Sequence, residues 1–351
     1  MTDWITAPVM VAAIGLLGGI TLGLAARLGR FCTLGAIEDY FYSSSDLRLR
    51  MWGIAIGVAM IGAFLLVHFN ALTLNQTPYL SQHWYPMQSI LGGLIFGYGM
   101  AISGNCGYGA LARLGGGDLR AFVIVVVMGI SAYATISGPL AYIRVWLFPD
   151  KPAVNGGPGL AQDLANITGL PPSLIGILVG CIILIAVVAP RHVRDNRTTL
   201  FWGTMIGLAI ASGWWGTQWV ATDSFEAVPV SSHTFSGPIG ETILYIMTAS
   251  GGQLSFGIGS VAGIWIGAFI GSLIKGHFRW EACEDPRELR RQIIGAGLMG
   301  IGAVTAVGCS IGQGLSAISV LAYSGPVTLA AIIAGAALGL RQILVGFARP
   351  I

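Results

Sequence analysis

The sequence predicts an all-α integral membrane protein: about nine transmembrane helices plus short re-entrant half-helices, in one domain with an inverted internal repeat. Three observations predict it. The first is composition. Of 351 residues, 54% are hydrophobic and only 9% are charged, against roughly 25% charged in a soluble domain. A surface so poor in charge needs lipid as its solvent, and the 52 glycines let helices approach closely within it. The second is where the few charges lie. The third is a Cys-x-x-Gly spacing that recurs at Cys32–Gly35, Cys106–Gly109 and Cys309–Gly312.

A crossing helix needs about 20 apolar residues. In chain order the candidate runs are Val9–Ala26, Trp52–Phe69, Ile90–Ser103, Ala121–Leu140, Leu174–Ala189, Leu200–Val220, Leu254–Ile274, Ile293–Val307 and Pro326–Leu340. The stretch Met1–Pro8 lacks the basic segment of a cleavable signal, so the first run is expected to stay as a span. The net charge is +3, and all the Lys and Arg except Arg144 and Lys151 fall into five clusters. These lie at Arg27–Arg50, Arg113–Arg120, Arg191–Arg197, Lys275–Arg291 and Arg341–Arg349. Nine alternating crossings put all five on one side. The opposite loops Asn70–Gln88, Phe148–Ser173 and Ala221–Glu241 carry only Lys151. Basic loops face the cytoplasm. The pattern predicts a multi-pass protein of the bacterial inner membrane, with a periplasmic N-terminus and a cytoplasmic C-terminus.

Four connections stand apart from ordinary loops. Phe31–Tyr42 and Asn105–Leu114 follow spans 1 and 3, while Thr242–Ser250 and Cys309–Ser319 follow spans 6 and 8. Each is about two to three helical turns and too short to cross. The first pair would enter from the cytoplasm and the second from outside. Spans 1–4 (about 9–145) and 6–9 (about 200–347) then read as two copies of one unit, turned over by span 5 (about 174–189). Gly92 and Gly99 precede Cys106 by the same spacing with which Gly295 and Gly302 precede Cys309. The fourth corner, Thr248-Ala249-Ser250-Gly251, keeps the glycine and has Thr248 in place of cysteine. Short, Gly-interrupted segments at matching places in two inverted halves point to a transporter's binding site.

Non-helical backbone at membrane depth survives only where protein or a wet cavity satisfies it. A half-helix starting there aims free N–H groups and a partial positive charge at its surroundings, which suits an anion. Gly35, Gly109 and Gly312 let the backbone approach it. No predicted span interior carries Asp, Glu, Lys or Arg, which argues against an acidic proton relay across the spans. A thiol is a weak donor and a soft, polarizable acceptor. It suits an anion with a terminal sulfur better than it suits sulfate, and weak sites release what they bind. Asn105 and Gln313 could orient a ligand or cap a helix break, and Thr248 and Ser250 could replace the missing thiol or simply bond to backbone. Arg30 and Arg113 could receive an anion or serve only as topology determinants. Cys181 reads as a buried small hydrophobe and Cys283 as an incidental cytoplasmic thiol. No Cys-x-x-Cys or Cys/His metal spacing occurs, so no metal, cofactor, nucleic-acid partner or enzymatic activity is expected. The competing reading is a membrane thiol-redox protein.

The residues Arg30-Phe31-Cys32-Thr33-Leu34-Gly35, Gly104-Asn105-Cys106-Gly107-Tyr108-Gly109 and Gly308-Cys309-Ser310-Ile311-Gly312-Gln313-Gly314 resemble those of the YeeE/YedE family of bacterial thiosulfate transporters. The likeness covers nearly the whole chain. It implies an inverted-repeat fold with short helices reaching the middle. It also implies a path on which Cys32, Cys106 and Cys309 pass thiosulfate along by S–H···S hydrogen bonds, and a small cytoplasmic sulfur-carrier partner of the TusA type. Transport of another sulfur or selenium species is the alternative within the same resemblance.

Overall fold

The computed structural model describes residues 6–149, 159–224, 226–282 and 285–346, so Cys283 and Lys151 lie outside the described residues. Its helices in order are α1 (Ala7–Leu28), α2 (Thr33–Tyr42), α3 (Leu47–His68), α4 (Pro86–Ser103), α5 (Gly107–Leu114), α6 (Leu119–Ile136), α7 (Pro139–Leu147) and α8 (Leu160–Thr168). They continue as α9 (Pro172–Val188), α10 (Arg191–Arg194), α11 (Arg197–Asp223), α12 (Ser236–Thr248), α13 (Phe256–Ile274), α14 (Pro286–Thr305) and α15 (Ser324–Gly346). A short helix over residues 310–319, widened into a π turn at Gly312–Ala317, lies between the last two.

Every predicted span falls on a long helix, but the crossing count differs from nine. Six helical stretches are long and apolar enough to cross a membrane, or seven if the bent pair α8–α9 counts as one. The shortfall is in α9, α11 and α14. Helix α9 has 17 residues and meets α8 at 111°. Helix α11 has 27 residues diluted by Thr, Gln and glycines, and α14 opens on Arg287, Glu288, Arg290 and Arg291. Segment Thr242–Ser250 is also corrected. Helix α12 starts six residues earlier, at Ser236, because Pro238 sits in its first turn, where a missing N–H costs nothing. Thr248 is its last residue.

Glycine sets which helices touch. A Cβ on Gly99 would lie 2.6 Å from the Gly295 carbonyl, and one on Gly92 would lie 2.8 Å from the Gly302 carbonyl. The matched glycines noted in the sequence therefore face each other across an antiparallel α4/α14 crossing. Helix α1 runs parallel to α13 through Gly19 and Gly263, whose would-be Cβ and Cα are 3.0 Å apart. Helix α11 runs parallel to α3, with Gly203 against Met51 and Ile54 and Gly207 against Ala55 and Val58. Helix α15 packs parallel to α4, and α6 packs on α14. The periphery is the reverse of a soluble protein: Leu17, Trp146, Ile185, Ile246 and Leu338 are all exposed. Lipid is the solvent that tolerates such a surface.

Candidate functional site

Three helix breaks share one local construction. Helices α1, α4 and α14 each end on a left-handed residue two positions before a cysteine: Arg30 (φ 55°), Gly104 (φ 75°) and Val307 (φ 57°). A left-handed residue just past a helix end satisfies its last carbonyls and turns the chain. The cysteine then stands at the N-cap of the next short helix. Cys32 caps α2 and Cys106 caps α5, and the Cys32, Cys106 and Cys309 carbonyls accept from the N–H groups of Ala36, Ala110 and Gln313 at 3.0, 2.8 and 2.8 Å. The glycine of Cys-x-x-Gly is the third helical residue, whose free N–H an N-cap side chain normally receives. At Cys106 the sulfur receives it, Gly109 donating to Cys106 Sγ at 3.3 Å, whereas Cys32 makes no side-chain cap bond. The recurrent spacing thus places a cysteine at a helix N-terminus, and at Cys106 its sulfur closes the cap.

These caps converge. The Cys32 and Cys106 thiols lie near one another around Gly109. A Cβ on Gly109 would sit between them, 3.5 Å from Cys106 Sγ and 3.8 Å from Cys32 Sγ. Thr33 Oγ1 lies 3.9 Å from Cys106 Sγ and donates to Ser310 Oγ at 3.0 Å. Cys309, next to Ser310, has its sulfur 3.7 Å from Thr234 Oγ1. Sulfur and hydroxyl groups therefore follow one another in one line: Cys32, Cys106, Thr33, Ser310 with Cys309, then Thr234. Aromatic rings wall this line. Phe31 stacks on Trp52 at 4.8 Å, and Tyr108 lies 6.1 Å from Phe31 and 5.8 Å from Phe235. Tyr108 Oη is spent on the Leu22 carbonyl at 2.6 Å, which pins α5 to α1.

A cavity opens at each end of the line. One, of about 310 Å3, lies by Ala26 and Arg27 at the C-terminal end of α1 and reaches Cys32, Asn105 and Gly109. It is basic: Arg30, Arg48, Arg113 and Lys275 line it, with Glu38 its one carboxylate. The other, of about 730 Å3, lies by Pro8 and Val11 at the N-terminal end of α1 and reaches Thr234. Glu226 and Glu241 line it and no Lys or Arg does. Between the cavities the line is shut: Thr33, Cys106, Cys309 and Ser310 are all buried.

Most of the sequence-predicted residues meet here, and the alternatives left open for Gln313 and Thr248 resolve to backbone bonding. Asn105 is buried and lines the basic cavity. Gln313 Nε2 donates to the Ala306 and Val307 carbonyls at 2.7 and 3.1 Å, so its amide caps the end of α14. Thr248 and Ser250 are exposed, and Thr248 Oγ1 donates to the Leu244 carbonyl of its own helix. The fourth corner is instead Thr234, just before α12. Sequence reasoning misses the hydroxyl partners Thr33, Ser310 and Thr234, because a hydroxyl next to an apolar residue carries no spacing signal. Only the two beside a cysteine, Thr33 and Ser310, have a neighbour that could flag them. Cys181 is half-buried on α9, which packs on α3. The described cysteines are all free thiols.

A family model described as sulphur transport matches residues 28–338, and the chain belongs to that family. Two known proteins are similar along almost their whole length. The thiosulfate transporter TsuA of Spirochaeta thermophila is 26% identical over 318 residues, covering 88% of this chain and 92% of that protein. The thiosulfate transporter TsuA of Escherichia coli K12 is 24% identical over 355 residues, covering 92% and 91%.

Proposed function

We propose that this member of the sulphur-transport family imports thiosulfate across the bacterial inner membrane, entering by the acidic cavity and leaving by the basic one. One observation carries the reading: the line from Thr234 through Cys309, Ser310, Thr33 and Cys106 to Cys32 joins the two cavities, and three of its members are sulfurs at helix N-termini. The anion's terminal sulfur meets soft S–H donors, while its oxygens meet the hydroxyls of Thr234, Thr33 and Ser310. Partial positive charge from three helix starts offsets its charge without a buried Lys or Arg. S–H contacts are weak, so no station holds the ion long enough to stall it.

The same reading sets the orientation. The basic cavity and the Arg27, Arg113 and Lys275 cluster belong on the cytoplasmic side, which places the N-terminus of α1 outside. A cytoplasmic sulfur carrier of the TusA type would collect the product there. Two inverted halves, with α1, α2, α3, α4, α5 and α6 matching α11, α12, α13, α14, the 310–319 helix and α15, account for the packing. Exchanging the two sets turns the α1/α13 contact into α11/α3 and the α4/α15 contact into α14/α6.

Proteoliposomes test this directly. They should accumulate labelled thiosulfate in competition with unlabelled thiosulfate and not with sulfate, and Cys106→Ala should reduce uptake at least tenfold, the order of one lost hydrogen bond to a charged group. Normal transport by Cys106→Ala overturns the thiol path. The thiol-redox alternative draws on the Cys32–Cys106 contact. It predicts that Cys32→Ser and Cys106→Ser abolish activity equally and that oxidant cross-links the pair, whereas a path of weak contacts predicts graded losses by position.

A further inference from the structure

Two glutamates sit at the same place in the two broken helices that open onto the cavities. Glu38 is the sixth residue of α2 and Glu241 the sixth residue of α12. Glu38 lines the basic cavity beside Cys32, and Glu241 lines the acidic cavity beside Thr234. Glu241 is half-buried, while Glu38 is more exposed on the wall of its cavity. Neither is spent in an ion pair among the described residues. The salt bridges of the region go elsewhere, for example from Arg48 to Asp39 at 3.1 Å.

The charge on the entry side is the wrong sign for an anion. Glu241 and Glu226 line that cavity without a cation, and ionised carboxylates there repel what must pass Thr234. Burial pushes the Glu241 carboxyl above the usual carboxylate range. Helices α6, α13 and α14, which pack against α12, bring no Asp, Glu, Lys or Arg to it; the charged residues of α6 and α14 lie at the far ends of those helices. On the exit side Glu38 faces Arg113 and Arg48, with Asp39 next to it and Arg27, Arg30, Lys275 and His277 around the same cavity. Partial desolvation on the cavity wall raises the Glu38 carboxyl above its usual range, while the neighbouring cations favour loss of its proton.

We propose that Glu241 and Glu38 are the entry and exit proton-binding groups of the path, so that the anion is imported together with a proton. This rests on the import reading above. Glu241 takes one proton from the outer water, an O–H bond forming and the carboxylate charge disappearing, and the anion then passes Thr234. That proton then leaves Glu241 and is relayed by the O–H and S–H groups of the line, each taking up one proton as it gives up its own, until Glu38 receives one and releases it to the inner water. No bond in the anion changes and no electron moves. The accompanying proton also offsets part of the work of driving negative charge into an interior-negative compartment.

The test uses proteoliposomes of the whole protein, clamped at zero potential with a fixed inner pH, and labelled thiosulfate as the probe. Lowering the outer pH from about 8 to about 6 should increase wild-type uptake several-fold, since a raised carboxyl gains its proton more readily as the pH falls, and a trapped pH dye should report proton entry that depends on thiosulfate. Glu241→Gln should remove the response to outer pH, and Glu241→Asp should restore it. A Glu241→Gln protein with the wild-type pH response, or wild-type uptake without proton entry, overturns the proposal. Infrared difference spectra of the purified protein separate this from failure of the import reading. An acid carbonyl band that grows on acidification and is missing in Glu241→Gln is expected whether or not thiosulfate is the cargo. Absence of that band shows that Glu241 binds no proton and overturns the assignment, while the band without any thiosulfate flux refutes the import reading alone.

Discussion

At Gly109 the absence of a side chain is what leaves room between two sulfurs. Its would-be Cβ stands 3.5 and 3.8 Å from them and 3.6 Å from Asn105 Oδ1, at ordinary contact distance and not in a clash. Gly109→Ala should therefore fold at least as well as the parent, since Ala is favoured over Gly in a helix by about 1 kcal/mol. It should nonetheless lose most thiosulfate uptake, because the methyl occupies the space through which the ion passes. Unchanged uptake with unchanged melting would place the passage elsewhere. Gly312 differs, since a Cβ there would stand 2.5 Å from Thr234 Oγ1, so an alanine would push on the hydroxyl that touches Cys309.

The breaks are element-scale devices. Each consists of a helix end, a left-handed residue, one more residue, a cysteine cap, and a glycine in the first turn of the next helix. Gly104 adopts φ 75° with nothing within 4 Å of its missing Cβ. Gly104→Ala therefore meets no steric contact and only the backbone penalty, about 1–2 kcal/mol, which thermal or denaturant unfolding in detergent should read as a destabilisation of that size. Val307 pays a comparable penalty at φ 57°, so Val307→Gly should be neutral or stabilising even though glycine loosens the unfolded chain by roughly 0.5–1 kcal/mol. A loss of more than that would mean the Val307 side chain, not the turn, holds the break. The π turn at Gly312–Ala317 sits directly after the Cys309 cap. One-turn π bulges are frequent at functional sites in helices.

On the scale of the whole molecule, the nine crossings we propose require particular helix directions. The parallel α1/α13, α3/α11 and α4/α15 pairs and the antiparallel α4/α14 pair are the relations that nine alternating crossings require. With the basic cavity inside, a membrane-impermeant thiol reagent should label Gln82→Cys in right-side-out vesicles and His277→Cys only in inside-out vesicles, both in a Cys283→Ser background. Labelling of both from one side would refute the nine-crossing arrangement and its orientation together.

Local chemistry is legible in the chain itself. A cysteine cap with a glycine three residues on, a basic cluster between apolar runs and a matched pair of glycines each depend on near neighbours, so their spacing survives in one dimension. That is why α2, α5 and the segment after Cys309 occur where the sequence expects them, and why Thr248 reads as a corner without being one: its surroundings imitate the pattern. The partners of the line are a different matter. Thr33 and Ser310 are 277 residues apart and Thr234 and Cys309 are 75 apart; no periodicity links them, and only the packing of distant helix starts against one another decides that these side chains meet.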